Sequence, residues 1–427
     1  MPIPGLTLFT ARHPNEFFGW WVVGACFVMA TACWGLGFYG NGLYLAHLVR
    51  ERGWPISLIG FSFTFYFWLG AVLVIATGRL VDRIGPRWSC SLGMLSATLG
   101  VLLIARVQEI RHLYFGLSFL ALGWAWMSGA AINSILARWF DTKRGTALSI
   151  ALTGASMGGI LVQPLMTWGI ERWGFADGLT FLALTLAILV LMTIAYGMVR
   201  SPSLLGQYID GTPSDGSSGV LAGKEPTSSQ SKPEGGEPWG IFKLLHMRAF
   251  VSNVLPFSLG LLAQVGFLMH QITMVEEQHS RTIAAIAVVV TTASAMFGRV
   301  VAGYFADRVS RRKIAAANFL VQAVGVLMLM SVQSPLMLYV ACGLYGLAVG
   351  NLIAFPGLII QREFPREQFA HVNRWAIAIT QGSYALGPAL LAAIRQATGS
   401  YFACLAFCAF VGCLSAGIVW FGKPKEE

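Results

Sequence analysis

Apolar residues run along this chain in stretches of about 20, the length a helix needs to cross a bilayer, and short polar connectors separate them. Twelve such stretches stand at roughly 20–45, 58–79, 88–105, 113–137, 146–169, 178–199, 250–274, 283–304, 314–332, 336–358, 373–394 and 400–421. Each predicts a transmembrane helix. One connector differs from the rest. Residues 200–240 carry Pro202, Pro213, Pro226, Pro233 and Pro238 among many Gly and Ser, which predicts a flexible linker. The expected organisation is therefore a six-helix half over 1–199, a linker over 200–240 and a second six-helix half over 241–427. The fold class is an all-α membrane protein.

Composition narrows the classes further. Of 427 residues only 11% are charged, where a soluble domain carries about 25%. Hydrophobic residues make up 56% and the mean hydropathy is +0.66. Soluble domains could not cover their surfaces with so few charges. A soluble enzyme, a disordered chain and a disulfide scaffold are thereby excluded. The seven cysteines are odd in number, sit mostly inside apolar runs and lack metal-ligand spacing, so neither metal nor cofactor is expected. The first residues lack the basic region, short apolar core and small-residue site of a cleavable signal, so the first span is expected to stay in the membrane.

The net charge of +10 would suggest nucleic acid in a soluble protein. Here the cations sort by side instead. With the linker and both termini on one side, that side collects 20 Lys/Arg and the other seven. Cytoplasmic loops carry such an excess. This places both termini in the cytoplasm of a multi-pass protein of the cytoplasmic membrane, with the bilayer as its partner and no nucleic acid. Arg299 and Arg374 fall outside this sorting; Arg374 begins span 11 and reads as an edge anchor.

Two loops repeat. GRLVDRIGPR (Gly78, Asp82, Arg83, Arg87) follows span 2, and GYFADRVSRR (Gly303, Asp307, Arg308, Arg312) follows span 8, 225 residues later. Both fit G-x-x-x-D-R-x-x-x-R at matching places in the two halves. A glycine allows close helix approach, an aspartate can accept bonds at a helix end, and arginines anchor the edge. With these loops in register the chain resembles the major facilitator superfamily over essentially its whole length. That resemblance implies two six-helix halves around a central cavity. It also implies that Asp82/Arg83 and Asp307/Arg308 latch the cytoplasmic side.

Further stretches resemble the bacterial monocarboxylate-porter and oxalate/formate-exchanger branch. They are FGWWV at 18–22, LYLAHLVRERGWP after it, RWFDTKRGTA at 138–147 (with Arg138 and Arg144) and GSYALGPALLAAIRQATGSY at 382–401. Two departures matter. Oxalate exchangers of the branch carry a lysine within span 11, whereas 375–394 contain no Lys or Arg. Animal monocarboxylate carriers pair a lysine in span 1 with an acid–Arg arrangement in span 8. Here 20–45 contain no Lys, and Ala295 stands four residues before Arg299. One cavity cation favours a monoanion over a dianion.

Arg299 is the sharpest position. A guanidinium inside hydrocarbon costs several kcal/mol, so it should face a wet cavity or a partner. In the first half Val74 holds the equivalent place, so the loop motif does not require an arginine there. It could snorkel to the helix end, or its planar fork could bind a carboxylate. The resemblance implies the second, because span 8 of monocarboxylate porters assigns an Arg-x-x-x-Gly arginine to the substrate anion. His270 in span 7 is the intramembrane group able to titrate near neutral pH. If protons are coupled, either His270 carries one or the substrate brings its own. Tyr345, in a Tyr-Gly-x-x-x-Gly pattern similar to span 10 of the branch, is a further cavity candidate. Tyr39, Asn41, Ser128, Asn133, Asn351, Gln381 and Tyr384 lie at suitable depth, where helix–helix bonding is an equal alternative. The expected function is secondary transport of a small organic monocarboxylate by a monomer working through alternating access. The alternative is an exporter of larger amphipathic or aromatic compounds. No nucleophile, metal cluster or paired acids stand at membrane depth, so an enzyme is not expected.

Overall fold

The computed structural model describes residues 17–141, 143–198, 202, 205–211, 239–306, 309–332 and 334–422. Ten helices within them are long and apolar enough to cross a membrane. With Arg144–Gly197 divided in two and the shorter helix Pro335–Val349 added, they make twelve spans. These are α1 (Gly19–Arg52), α2 (Ile56–Val74), α3 (Arg83–Ala105), α4 (Ile110–Leu136), α5 (144–173), α6 (175–197), α7 (Arg248–Glu276), α8 (Arg281–Ala306), α9 (Arg311–Leu329), α10 (335–363), α11 (369–398) and α12 (Tyr401–Phe421). The 54-residue helix Arg144–Gly197 divides into α5 and α6 at Gly174, whose φ of 81° is open to glycine and closed to most side chains. Gly85, with the same φ, sits at the kink near the start of α3, where the helical run from α2 breaks. α10 combines Pro335–Val349 with Phe355–Glu363 across a turn, and α11 bends between Tyr384 and Gly387.

The outermost helices are marked by exposed apolar stripes at helical spacing. Leu92, Leu95 and Leu99 stand out from α3, Phe181, Leu184, Ile188 and Met192 from α6, and Leu320, Val324 and Leu327 from α9. In lipid these faces need no cover. The two six-helix halves meet through α1, α2 and α5 of the first and α7, α8 and α11 of the second. Gly42 lies on the backbone of Leu268 and Met269, Gly60 on Pro388 and Ala392, and Gly159 on Thr292. Trp68 Nε1 donates to Gly382 O at 3.2 Å. These contacts lie at mid-bundle and towards the end remote from the linker, so that end is closed.

The expected linker is not flexible throughout. Residues 205–211 dock on the α4–α5 loop: Asp210 N donates to Trp139 O at 3.0 Å, and its Oδ1 accepts from Asp141 N at 3.1 Å. Phe18 N donates to Gln207 Oε1 at 3.0 Å, which ties the start of α1 to the same place. Backbone donors exposed at a loop found partners in the connector, which sequence composition does not reveal.

The repeated loops differ in what their last arginines do. Arg87 is exposed, beside the Trp88 ring at 5.5 Å. Arg312 is buried and grips Glu363 with two bonds of 2.6 and 2.7 Å, while Ser252 Oγ accepts from it at 3.1 Å. This ties α7, α9 and α10 together inside one half. Asp307 and Arg308 lie outside the described residues, as do the side chains at 78, 82 and 303; Arg83 and Arg138 are exposed. Removing one member of a buried pair strands the other charge, typically at about 3 kcal/mol. Glu363→Gln should therefore lower the melting temperature of the purified protein, while Arg87→Gln should leave it unchanged; equal effects in a thermal-shift assay would contradict this asymmetry.

Candidate functional site

α8 crosses α10 unusually closely, and small residues are the reason. A Cβ on Gly298 would strike the Leu347 backbone, and one on Gly350 would sit 2.5 Å from Arg299 Nε and 2.8 Å from Ala295 O. With Gly350 bare, the Arg299 side chain lies across α10, and its Nε donates to Gly350 O at 3.2 Å. Its Nη1 donates to Ser156 Oγ at 3.1 Å. Ser156 belongs to α5, so the guanidinium bridges the two halves. Among the described residues no carboxylate lies within ion-pair distance of it. Tyr39 on α1 is within electrostatic reach of the guanidinium.

The helices facing Arg299 are locally widened. Gly35–Tyr39 of α1 and Gly158–Val162 of α5 are both π-helical, a rare geometry frequent at functional sites. They touch: a Cβ on Gly35 would meet Val162 at 2.6 Å, and one on Gly158 would meet Gly35 N at 2.6 Å. Asn41 Nδ2 donates to Gly37 O at 2.7 Å just beyond the α1 turn, and its buried Oδ1 has no partner among the described residues. The Tyr66 hydroxyl, also buried without such a partner, abuts Gly37. The widened turns lie next to the Arg299 guanidinium together with the unpartnered Asn41 Oδ1 and Tyr66 hydroxyl, which suits an anion bearing further polar or planar groups.

Aromatic rings adjoin this centre. Trp34 and Trp124 have centroids 4.8 Å apart, Phe38 meets Tyr39 at 5.3 Å, and Phe67 reaches Tyr384 across the halves at 5.9 Å. Sequence reasoning passed over Ser156, Trp34, Trp124 and both π-helical turns. The glycine spacing Gly35-x-Gly37-x-x-Gly40 and the pair Gly158-Gly159 were the available signals.

Other candidates fall elsewhere. His270, only 2% exposed, is bonded at both nitrogens, to Pro388 O and to the Tyr401 hydroxyl, each at 3.1 Å. A carbonyl only accepts, so Nε2 carries the proton and Nδ1 accepts from Tyr401. His270 thus joins α7 to α11 and α12 within one half. Tyr345 is fully buried with its ring 4.3 Å from Phe267, in the packing of the second half. Asn351 Nδ2 donates to Asn318 Oδ1 at 2.9 Å, and Asn133 Oδ1 accepts from Arg144 Nη2 at 3.0 Å. His270 and the two asparagines thus bond neighbouring helices, and Tyr345 packs against Phe267. Ser128 marks the break in α4, Gln381 is exposed on α11, and Tyr384 stays with the aromatic cluster. Because Gly350 makes room for Arg299, Gly350→Ala should weaken ligand binding by about tenfold, the loss of one charge-assisted bond, with the fold retained. Unchanged affinity in a titration of the purified variant would contradict that role.

Comparison with known proteins agrees with this architecture. Residues 25–271 and 249–427 match the family model described as Major Facilitator Superfamily. The chain is 30% identical over 196 residues to a riboflavin transporter, MCH5, of Saccharomyces cerevisiae, covering 41% of this chain and 36% of that one. It is 23% identical over 207 residues to monocarboxylate transporter 13 of Bos taurus, covering 47% and 46%. It thus spans less than half the length of these two relatives. An MFS transporter, asaE, of Aspergillus flavus is 24% identical over 396 residues, covering 89% and 80%. Among solved structures, a D-xylose-proton symporter has a TM-score of 0.71 at 13% identity, covering 96% and 99%. A bacterial homologue of the lysosomal transporter Spinster, inward-facing and occupied, has a TM-score of 0.68 at 13% identity, covering 95% and 96%. With the fold, the repeated halves and the family model in agreement, this multi-pass membrane protein belongs to the major facilitator superfamily of transporters.

Proposed function

We propose that the protein is a secondary transporter that moves a small organic monocarboxylate across the cytoplasmic membrane by alternating access. The observation that carries this is Arg299: a membrane-depth guanidinium bonded to both halves, with two neutral acceptors and no acid partner among the described residues. The neutral acceptors engage Nε and Nη1 and leave the charge uncompensated, and in low dielectric that favours an anionic ligand. The relatives named for monocarboxylate transport support the same class. A substrate carboxylate replacing Ser156 Oγ on the fork would change the contact between the halves at its own binding site. Binding and conformational change are then one event. With the Lys/Arg-rich linker end in the cytoplasm, the closed remote end supports reading this as a state closed to the outside.

A monoanion entering a cell works against the membrane potential, at about 2.3 kcal/mol per 100 mV, so uptake calls for a co-transported proton. His270 is engaged at both nitrogens, and we assign it to packing, which leaves the proton to a group other than this histidine. The aromatic cluster favours the second reading, export of a larger amphipathic or aromatic compound on the same fold.

In proteoliposomes Arg299→Ala should abolish carboxylate transport, and Arg299→Lys, which keeps charge but loses the fork, should reduce it about ten- to hundredfold. Full transport of every monocarboxylate tried by Arg299→Ala would falsify the assignment. An imposed gradient, acid on the side of entry, should accelerate uptake in the wild type and in His270→Asn alike. Equal uptake with and without the gradient would remove proton coupling, and its selective loss in His270→Asn would return the proton to that histidine.

A further inference from the structure

The chemistry around Arg299 says more about the ligand than its charge. Six rings from four helices and both halves form one continuous set: Trp34, Phe38 and Tyr39 of α1, Phe67 of α2, Trp124 of α4 and Tyr384 of α11. Trp34 and Trp124 meet at 4.8 Å with planes at 55°, and Phe38 lies near-parallel to Trp124 at 6.4 Å and 27°. Phe38 meets the edge of Tyr39 at 5.3 Å and 82°, and Phe67 meets Tyr384 at 5.9 Å and 86°. Five of the six, all but Phe67, are partly accessible although they lie well inside their spans. Tyr39 belongs to both parts of the site, since its hydroxyl is within electrostatic reach of Arg299 while its ring joins the set.

Partly accessible rings at these spacings and angles offer faces and edges to a further ring. An aliphatic chain would gain from their area but not from their quadrupoles. Acetate or lactate would reach Arg299 and leave the rings unfilled. Ring insertion between α1, α4 and the α2–α11 contact would also engage both halves, as the carboxylate does at the other end.

We propose that the substrate is an aromatic monocarboxylate, its carboxylate on Arg299 and its ring in the cage around Trp34, Phe38 and Trp124. This rests on the carboxylate assignment of the preceding section and names the body attached to that group.

The test is competitive binding to the purified full-length protein with benzoate, cyclohexanecarboxylate, acetate and benzamide. The first two match in size and differ in aromaticity; the last keeps the ring and loses the charge. Benzoate should bind at least about tenfold more tightly than acetate and more tightly than cyclohexanecarboxylate, and benzamide should bind poorly. Trp124→Leu should weaken benzoate roughly three- to tenfold and leave acetate unchanged. Phe38→Leu supplies the same comparison if Trp124→Leu does not fold. Benzoate, cyclohexanecarboxylate and acetate binding equally, all lost in Arg299→Lys, would overturn the aromatic class and leave the carboxylate assignment standing. Benzoate binding that survives Arg299→Lys unchanged would overturn the carboxylate assignment itself, as would no binding of any of the four.

Discussion

Everything at the centre of this protein turns on one guanidinium in hydrocarbon. An arginine at membrane depth is expensive, and its neighbours here recover only the hydrogen-bonding part of the cost. Gly350 O and Ser156 Oγ accept from it, but neither offers the negative charge that would neutralise it. The buried Arg312, by contrast, is matched by Glu363. The two arginines divide the labour. One is compensated from within its own half and holds that half together, while the other meets no opposite charge among the described residues.

Local backbone choices make that arrangement possible. Bare positions at Gly298 and Gly350 let α8 and α10 approach and keep the Arg299 side chain flat against α10. On the opposing half, the π-helical turns Gly35–Tyr39 and Gly158–Val162 sit against one another beside Ser156. Such turns give up regular bonding, and Asn41 Nδ2 caps one freed carbonyl. The halves themselves remain internally rigid through pairs such as His270 with Tyr401 and Pro388, and Asn351 with Asn318. Rigid halves joined at a bistable contact are what alternating access requires.

The architecture was legible in the sequence because span length and cation sorting are one-dimensional signals that a bilayer imposes on every helix. Arg299 was legible for the same reason: a charge out of place needs no knowledge of its neighbours. For His270, Tyr345, Asn133 and Asn351 the sequence carries one signal for two roles, because a polar side chain that bonds a neighbouring helix and one that faces a ligand share the same depth. Only helix rotation and partners separate them. Ser156 was passed over since serine is common in helix contacts, and the aromatic set was hidden because its members come from α1, α2, α4 and α11. The docking of Asp210 on the α4–α5 loop likewise depends on a pairing across 69 residues that composition does not carry.

The most direct test of the central claim is the distance across the linker end when an anion arrives. Spin labels at Lys143→Cys on the α4–α5 loop and Glu367→Cys on the α10–α11 loop are exposed sites on opposite halves. Of the native cysteines Cys413 is exposed and the other six buried, so a Cys413→Ser background suffices. Benzoate should shorten the distance in this protein and leave it unchanged when Arg299→Gln is added. An identical shift in both proteins would show that the halves respond without the guanidinium, and would contradict the account.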